Sequence, residues 1–255
     1  MTSLYDIGLA KTEANYQPLT PTSFLARSAR VYPDHAAIIH GNQRFNYTQF
    51  YARSRKLASA LATHGICKGD TVSVMLANTP PMLEAHYGVP MTGGVLNTMN
   101  PRLDARIIAF TLTHAEAKVL IVDREFSSLV AEALVMMDGP KPFIIDYDDP
   151  EFPQSGPLIG DIEYEAVSAD GDETYDWKMP DDEWEAISLN YTSGTTGNPK
   201  VVVYHHRGDY QLGHGNAITA SMAKHPVYQW TLPIFHSKGW CIPWNKSVIR
   251  GTHVS

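Results

Sequence analysis

Short apolar strands alternate with helices through the middle of the sequence, and this alternation restricts the fold more than any other feature. Strand-like runs begin near Asp70, Val95, Lys118 and Pro142. Between them lie helical segments of roughly ten to fifteen residues with apolar side chains on one face. Strands joined by helices run parallel in one sheet, and the helices cover its faces. The sequence therefore predicts an α/β fold with a mostly parallel β-sheet flanked by helices.

The segments on either side of this region complete the predicted domain. Residues 1–19 form a polar N-terminal arm, and residues 20–255 form one domain. A helix that ends before Pro33, a hairpin at Gly41–Asn42 and an amphipathic helix from Thr48 to His64 precede the alternation. Residues 146–182 are acidic and rich in proline and glycine, so we predict a surface excursion with one short helical patch.

A last strand, Ala186 to Tyr191, follows the acidic excursion and leads directly into the most distinctive motif of the chain. This motif is TSGTTGNPK, from Thr192 to Lys200. Glycine tolerates a positive φ, and successive backbone N–H groups in such a turn converge on an anion. Four hydroxyl groups and the Lys200 ammonium add donors at the same place. The motif predicts a polyphosphate-binding loop, and the alternative is a flexible surface loop of ordinary composition.

The residues after the second glycine exclude the Walker type of phosphate loop. That type needs a lysine and a hydroxyl residue directly after the glycine, with a helix behind them. Here Asn198 and Pro199 intervene, and VVVYHH reads as a strand. A phosphotransferase with such a loop is therefore the weakest of the interpretations.

Composition narrows the class of partner and the compartment. The chain has 255 residues, a net charge of −7 and 44% hydrophobic residues, and it shows no block of lysines or arginines. This pattern is unfavourable for nucleic acid or an anionic membrane as main partner. Cys67 and Cys241 show no metal-ligand spacing and read as reduced thiols. No signal peptide or membrane span is evident, so the expected location is the cytoplasm.

TSGTTGNPK closely resembles the phosphate loop of the adenylate-forming superfamily, which includes acyl-CoA synthetases, luciferases and the adenylation domains of peptide synthetases. The segment from Phe45 to Leu103 and the motif TLPIFHSKGW, from Thr231 to Trp240, are similar to further parts of that family. Together with YHHRG they are most similar to short- and medium-chain acyl-CoA ligases such as 3-methylmercaptopropionyl-CoA ligase. The resemblance begins near Thr20 and covers the rest of the chain.

The resemblance implies a set of site residues and a reaction. His236 would act at the catalytic centre and against the acyl tunnel, Trp240 would line the acyl pocket, and Lys200 would assist ATP as a cation. ATP, Mg²⁺ and CoA are the implied cofactors and co-substrates, and a small carboxylate is the implied substrate. The β- and γ-phosphates of ATP would be cradled by Thr192, Ser193, Gly194, Thr195, Thr196 and Gly197.

Several singled-out side chains read more simply as structural. The histidines do not show the spacing of a metal site, so no protein-held metal is predicted; they are His205, His206, His214 and His236. Trp244 reads as a core aromatic, and Asp70 as a turn or strand-entry residue. Glu84 and His86, on the predicted helix after Pro81, read as solvated or capping.

The sequence also departs from the family it resembles. Segments expected after Ser255, including a glutamate for Mg²⁺, an aspartate for ribose and a distal lysine, are not in it. Val201 stands where the family has glycine, and a β-branched residue would be unfavourable if that position needed a positive φ. Residues 245–247 and 208–216 are also more polar than expected. We therefore expect an N-terminal part that is inactive alone; the alternative is a non-catalytic nucleotide-binding or partner-binding fragment, and a homo-oligomer stays open.

Overall fold

A computed structural model describes residues 3–152, 156–192, 199–236 and 239–255. The strands in this part of the chain are β1 (Ala36–His40), β2 (Gln43–Asn46), β3 (Thr71–Met75), β4 (Val95–Thr98), β5 (Ala117–Asp123), β6 (Phe143–Tyr147), β7 (Ile162–Glu163), β8 (Ala186–Thr192), β9 (Lys200–His205), β10 (Val227–Gln229) and β11 (Thr252–Val254). The α-helices are α1 (Thr22–Val31), α2 (Tyr47–Thr63), α3 (Pro80–Met91), α4 (Ala105–His114), α5 (Ser127–Met136), α6 (Tyr164–Asp170), α7 (His206–Thr219) and α8 (Ile242–Ile249).

Seven strands form the large sheet, in the order β7-β6-β5-β3-β4-β8-β9. Every neighbouring pair in it is parallel except β8 and β9, which form an antiparallel hairpin at one edge. Helices α3, α4 and α5 connect the successive strands from β3 to β6, because a parallel crossover needs a dozen or more residues. The predicted α/β fold with a mostly parallel sheet is therefore confirmed.

The helices cover the large sheet on two faces. One hydrophobic cluster includes residues of α2, α3 and α8, and a second one lies with α4 and α5. Every residue of α3 is buried. A Cβ on Gly88 would lie 2.9 Å from the Ser54 carbonyl oxygen, so this glycine lets α3 approach α2 closely. The centre of the sheet thus has no solvent-exposed face, as expected for parallel strands.

A second, four-stranded sheet has the order β10-β11-β1-β2. The predicted hairpin at Gly41–Asn42 is present as antiparallel β1 and β2. β11 pairs in parallel with both β1 and β10. This sheet therefore joins strands from the two ends of the described chain.

The acidic region from residue 146 to 182 is more integrated than the sequence suggests. β7 lies within it and extends the edge of the large sheet beside β6. Tyr164, at the start of α6, is completely buried. Two residues of strand are too few to give a sequence pattern, and they form because β6 offers a free edge.

The predictions for Glu84 and His86 are wrong, because both side chains are completely buried. Glu84 accepts hydrogen bonds from Arg53 Nε at 2.5 Å and from the Tyr164 hydroxyl at 2.6 Å. His86 Nδ1 lies 2.7 Å from the carbonyl oxygen of Met82, one helical turn earlier. Burial lowers the pKa of His86 to about 4. Polar residues are tolerated here because most of their polar atoms have partners inside the protein.

The backbone conformation of Val201 answers whether this position has the positive φ that would disfavour valine. Val201 pairs with Tyr191 in the β8–β9 hairpin. Its φ is not positive; the described non-glycine residues with positive φ are Glu116, Ser221, His225, Cys241 and Arg250. A β-branched residue suits an extended strand, so valine brings no backbone strain at this position.

Candidate functional site

The predicted phosphate loop is carried by the tip of the β8–β9 hairpin. Thr192 ends β8 and lies opposite Lys200, which begins β9. The Thr192 hydroxyl donates a hydrogen bond to the Lys200 carbonyl oxygen at 3.3 Å. The two residues that flank the loop are thus held side by side. Five predicted phosphate ligands lie outside the described residues: Ser193, Gly194, Thr195, Thr196 and Gly197.

A cavity of about 180 Å³ opens beside this hairpin, next to the carboxyl ends of the parallel strands β4 and β8. This is the edge of an α/β sheet at which ligands bind. The lining brings Thr192 and His236 into one site, although more than forty residues separate them in the chain. The cavity is lined by Asn97, Thr98, Met99, Asn100, Leu103, Thr111, Asn190, Tyr191, Thr192, Pro199, Val202, Tyr204, Phe235 and His236.

The segment that carries His236 is fixed to the large sheet by Asn78, which follows β3. The Asn78 side chain accepts a hydrogen bond from Ile234 N–H at 2.9 Å and donates one to the Leu232 carbonyl oxygen at 3.0 Å. The backbone around His236 is tightly turned: Gly239 N–H donates to the His236 carbonyl oxygen at 2.7 Å. A Cβ on Gly239 would lie 2.7 Å from the Pro233 carbonyl oxygen, so this turn requires glycine.

Polar side chains at the ends of β4 and β8 belong to the cavity wall, and sequence reasoning missed them. The Thr98 hydroxyl donates to Asn190 Oδ1 at 2.9 Å. The ring of Tyr204, on β9, lines the same wall, and burial raises the pKa of its hydroxyl. The available signal was a polar residue near the carboxyl end of each apolar strand, Thr98 in VLNT and Asn190 in AISLNYT.

Trp240 lies behind this wall rather than in it. It is 4% exposed, and its ring centroid is 5.5 Å from that of Tyr204. It also contacts His86 and Trp244, with centroid separations of 5.4 and 5.3 Å. Trp244 is fully buried and is a core aromatic, as predicted. Among the described lining residues, Tyr204 is the one whose ring contacts Trp240.

The carboxyl group of Asp209, in helix α7, is buried close to Trp240 in the fold. Asp209 is completely buried, and its Oδ1 accepts a hydrogen bond from the Cys241 thiol at 3.2 Å. The Trp240 indole N–H approaches the same carboxyl group without the geometry of a full hydrogen bond. Burial raises the pKa of Asp209 to about 7, partly opposed by the thiol hydrogen bond. Burial also raises the pKa of the Cys241 thiol, which excludes a reactive thiolate at neutral pH.

The described residues fit part of an ATP site. Lys200 is exposed at the hairpin tip, where a cation can reach a phosphate, and the Thr192 hydroxyl is beside it. Mg²⁺ finds no ready-made set of ligands, since the described ranges contain no group of three His, Cys, Asp or Glu side chains that could hold a metal ion. The hairpin thus places a cation and a hydroxyl group side by side, and contacts to a phosphate need donors of these kinds.

Comparisons with known proteins agree with this arrangement. The AMP-binding enzyme family matches residues 25–255. The acetate/butyrate–CoA ligase AAE7 of Arabidopsis thaliana is 45% identical over 256 residues, which is 96% of this chain and 45% of that protein. The benzoate–CoA ligase of the same plant is 42% identical, over 96% of this chain and 44% of its own length. The chain thus spans about half the length of the curated relatives it matches.

A solved structure shows the same fold. O-succinylbenzoate coenzyme A synthetase from Bacillus subtilis, in complex with ATP and magnesium ion, superposes with a TM-score of 0.73. The alignment is 22% identical and covers 91% of this chain and 44% of that protein. At that identity the likeness concerns the fold of the matched part.

The expectation of a cytoplasmic location is wrong by the same comparisons. Both plant relatives above are named peroxisomal, as are a butyrate–CoA ligase and a trans-cinnamate:CoA ligase. These names point to peroxisomes. No helix in the described ranges is long and apolar enough to cross a membrane.

The match over residues 25–255 decides the family: the chain belongs to the AMP-binding enzymes and is a relative of acyl-CoA ligases.

Proposed function

We propose that this chain is the nucleotide-binding N-terminal part of an ATP-dependent acyl-CoA ligase. The observation that carries the proposal is that Thr192 and His236 line one cavity beside the carboxyl ends of β4 and β8, with Lys200 opposite Thr192 in the hairpin. The motif from Thr192 to Lys200 would contact the β- and γ-phosphates of ATP, and Lys200 would offset their charge. His236 would face the acyl group and the route of the CoA thiol.

The proposed reaction has two steps. In the first, a carboxylate oxygen attacks the α-phosphorus of ATP, and the bond to pyrophosphate breaks to leave an acyl-adenylate. In the second, the sulfur of CoA attacks the acyl carbonyl carbon, AMP leaves with the bonding electrons, and the thiol proton is released. Positioning and charge stabilisation carry such phosphoryl chemistry, so the alignment of this hairpin with the rest of the site is decisive.

A short or medium-sized carboxylate is the proposed substrate. Support comes from the relatives, whose printed names include acetate, butyrate, 2-methylpropanoate and benzoate ligases. The cavity of about 180 Å³ beside His236 has room for a small acyl group. Its wall combines apolar side chains such as Leu103 and Phe235 with the polar Thr98 and Asn190.

A second candidate is a chain that binds nucleotide without catalysis. It is favoured by the position of Thr192 and Lys200 at the tip of one hairpin, where they would contact phosphates but would not by themselves orient a ribose and a base. Under this candidate the 255-residue chain binds ATP weakly and does not activate a carboxylate.

ATP binding to the 255-residue chain tests the hairpin assignment common to both candidates. We expect saturable binding in calorimetry, and Lys200→Ala should weaken it about tenfold, because a charge-assisted contact to phosphate is lost. Lys224→Ala is the matched control, since Lys224 is also exposed but lies after α7, away from the hairpin. Equal losses in the two variants, or no saturable binding, would refute the assignment.

Exchange of labelled pyrophosphate into ATP separates the two candidates. We expect no carboxylate-dependent exchange by the 255-residue chain, and exchange by a longer protein in which this chain continues into the part that its relatives possess. Exchange by the short chain would show that the catalytic groups are already present in it. Failure of exchange in the longer protein would leave the non-catalytic candidate.

By the names of its relatives, we further propose that the complete protein acts in peroxisomes. A fluorescent fusion of the complete protein should coincide with a peroxisomal marker in its native cell type. Diffuse fluorescence throughout the cytosol would contradict this location.

A further inference from the structure

A second cavity, of about 550 Å³, lies between the N-terminal arm and the helices α1, α7 and α8. It shares no lining residue with the cavity beside the hairpin. Its volume falls in the range of sites for small ligands, which is about 300–1,000 Å³. The cavity is therefore separate from the proposed reaction centre and large enough to hold a molecule of its own.

Three aromatic rings form one wall of this arm cavity. Phe24 contacts Tyr210 and His214 at centroid distances of 4.7 and 5.0 Å, and the latter two are 4.7 Å apart. Phe24 is buried, whereas Tyr210 and His214 are half-buried. Gly213 brings α7 close to this cluster, because a Cβ there would already lie 3.3 Å from Phe24. Such a wall favours a planar ring, which can stack on it or meet it edge to face.

Arg27, on α1, supplies the charge of the arm cavity. Arg27 is exposed at the rim of the cavity that it lines, and it makes no hydrogen bond or ion pair with any described residue. Asp and Glu are absent from the described lining, although the chain as a whole carries a net charge of −7. A guanidinium presents a planar fork of donors that matches a carboxylate or phosphate. The cavity thus combines an aromatic wall with an unneutralised cation.

The arm that closes the cavity is held in place by polar contacts. Leu19 N–H donates to Glu183 Oε2 at 2.9 Å, and Glu183 also pairs with Arg207. The Thr20 hydroxyl lies 2.8 Å from His206 Nδ1, and both residues are buried. These contacts connect the arm to the N-terminal end of α7, so the cavity is formed before a ligand enters.

We propose that the arm cavity binds a small ligand in which a planar ring is joined to an anionic group, as in an aromatic carboxylate or a nucleoside monophosphate. Tyr210 and His214 contact the ring, and Arg27 pairs with the anion through two parallel hydrogen bonds. The site is independent of the proposed ligase function, because neither the hairpin nor His236 takes part in it.

Calorimetric titration of the 255-residue chain with benzoate, and separately with AMP, tests this site. We expect saturable binding of at least one of them, weakened about tenfold by Arg27→Ala. Arg30→Ala is the matched control, since Arg30 is an exposed arginine of α1 outside the cavity lining, and its effect should stay below about twofold. Tyr210→Phe should retain binding, whereas Tyr210→Leu should weaken it.

Three results would overturn the proposal. The first is no saturable binding of either probe up to about 10 mM, which is weaker than a small specific site requires. The second is an equal loss in Arg27→Ala and Arg30→Ala, which would reduce the effect to net charge. The third is a pattern in which AMP binding is lost in Lys200→Ala and kept in Arg27→Ala, while benzoate does not bind. That pattern would place the nucleotide at the hairpin. If only one of the two probes binds, it identifies whether the site takes an aromatic carboxylate or a nucleoside monophosphate.

Discussion

Replacing Asp209 by asparagine should make the protein more stable, and the gain should grow with pH. Asp209 is completely buried, with the Cys241 thiol and the Trp240 indole as its polar neighbours. Burial raises its pKa to about 7, against an ordinary value of 3.8. Asparagine has nearly the same shape and cannot ionise, and its amide oxygen can still accept the hydrogen bond of the Cys241 thiol.

The pKa of Asp209 sets the size and direction of this effect. Between pH 3.8 and about 7 the folded protein retains a proton that the unfolded chain has released, so its free energy of unfolding falls as the pH rises. Above pH 7 the loss is complete, and at about 1.36 kcal/mol per pKa unit it amounts to about 4 kcal/mol. Part of this loss of stability is already present at pH 5. The difference in free energy of unfolding between Asp209→Asn and the unmodified chain should therefore widen by about 2–3 kcal/mol from pH 5 to pH 8.

Urea unfolding at several pH values, followed by tryptophan fluorescence, measures this gap. Other titrating groups contribute equally to both proteins and cancel in the difference. Asp138→Asn is the matched control, since Asp138 is exposed, and its gap from the unmodified chain should not vary with pH. Parallel stability curves for Asp209→Asn and the unmodified chain would refute the reasoning, because they would mean that the buried carboxyl does not titrate in this range.

Two further substitutions probe the edge of the site and the core. Val201→Gly should lower the free energy of unfolding by about 1 kcal/mol, because Val201 is extended opposite Tyr191 and glycine weakens a strand. The same variant should not bind ATP more tightly. Tighter ATP binding would contradict the structure. Lys246→Met should raise the free energy of unfolding by about 1–3 kcal/mol below pH 8, because burial over Tyr228 lowers the lysine pKa to about 8 from 10.5. The gain should shrink from pH 8 towards pH 10.5, and the exposed Lys224→Met should show neither effect in urea unfolding.

The parallel sheet could be predicted from the sequence because its signals are local. Each of β3, β4, β5 and β6 is an apolar run that is followed or preceded by a helix of regular period. β8 and β9 were also predicted as strand-like runs on either side of the motif, whereas their antiparallel pairing comes from the structure. Local patterns of this kind depend on neighbouring residues alone.

The remaining features depend on partners that are distant in the chain. β7, β10 and β11 are two or three residues long and exist through pairing with a strand already in place. Glu84 reads as a surface residue until Arg53 and Tyr164 are brought to it. The cavity beside the hairpin likewise forms because residues near positions 98, 190, 204 and 236 lie close together in the fold. A sequence pattern does not report how far apart such distant residues lie.

The small sheet sets a condition on the order in which this chain can fold. Ile38 pairs with His253, so β1 acquires its parallel partner only after more than two hundred later residues have been synthesised. The large sheet has no such delay at its centre, where Val72 pairs with Leu96. Contacts of long sequence separation close slowly because the entropy of the intervening loop is lost first. The β1–β2 hairpin therefore waits with the β1 edge unpaired, and during that interval this edge can pair with a wrong strand.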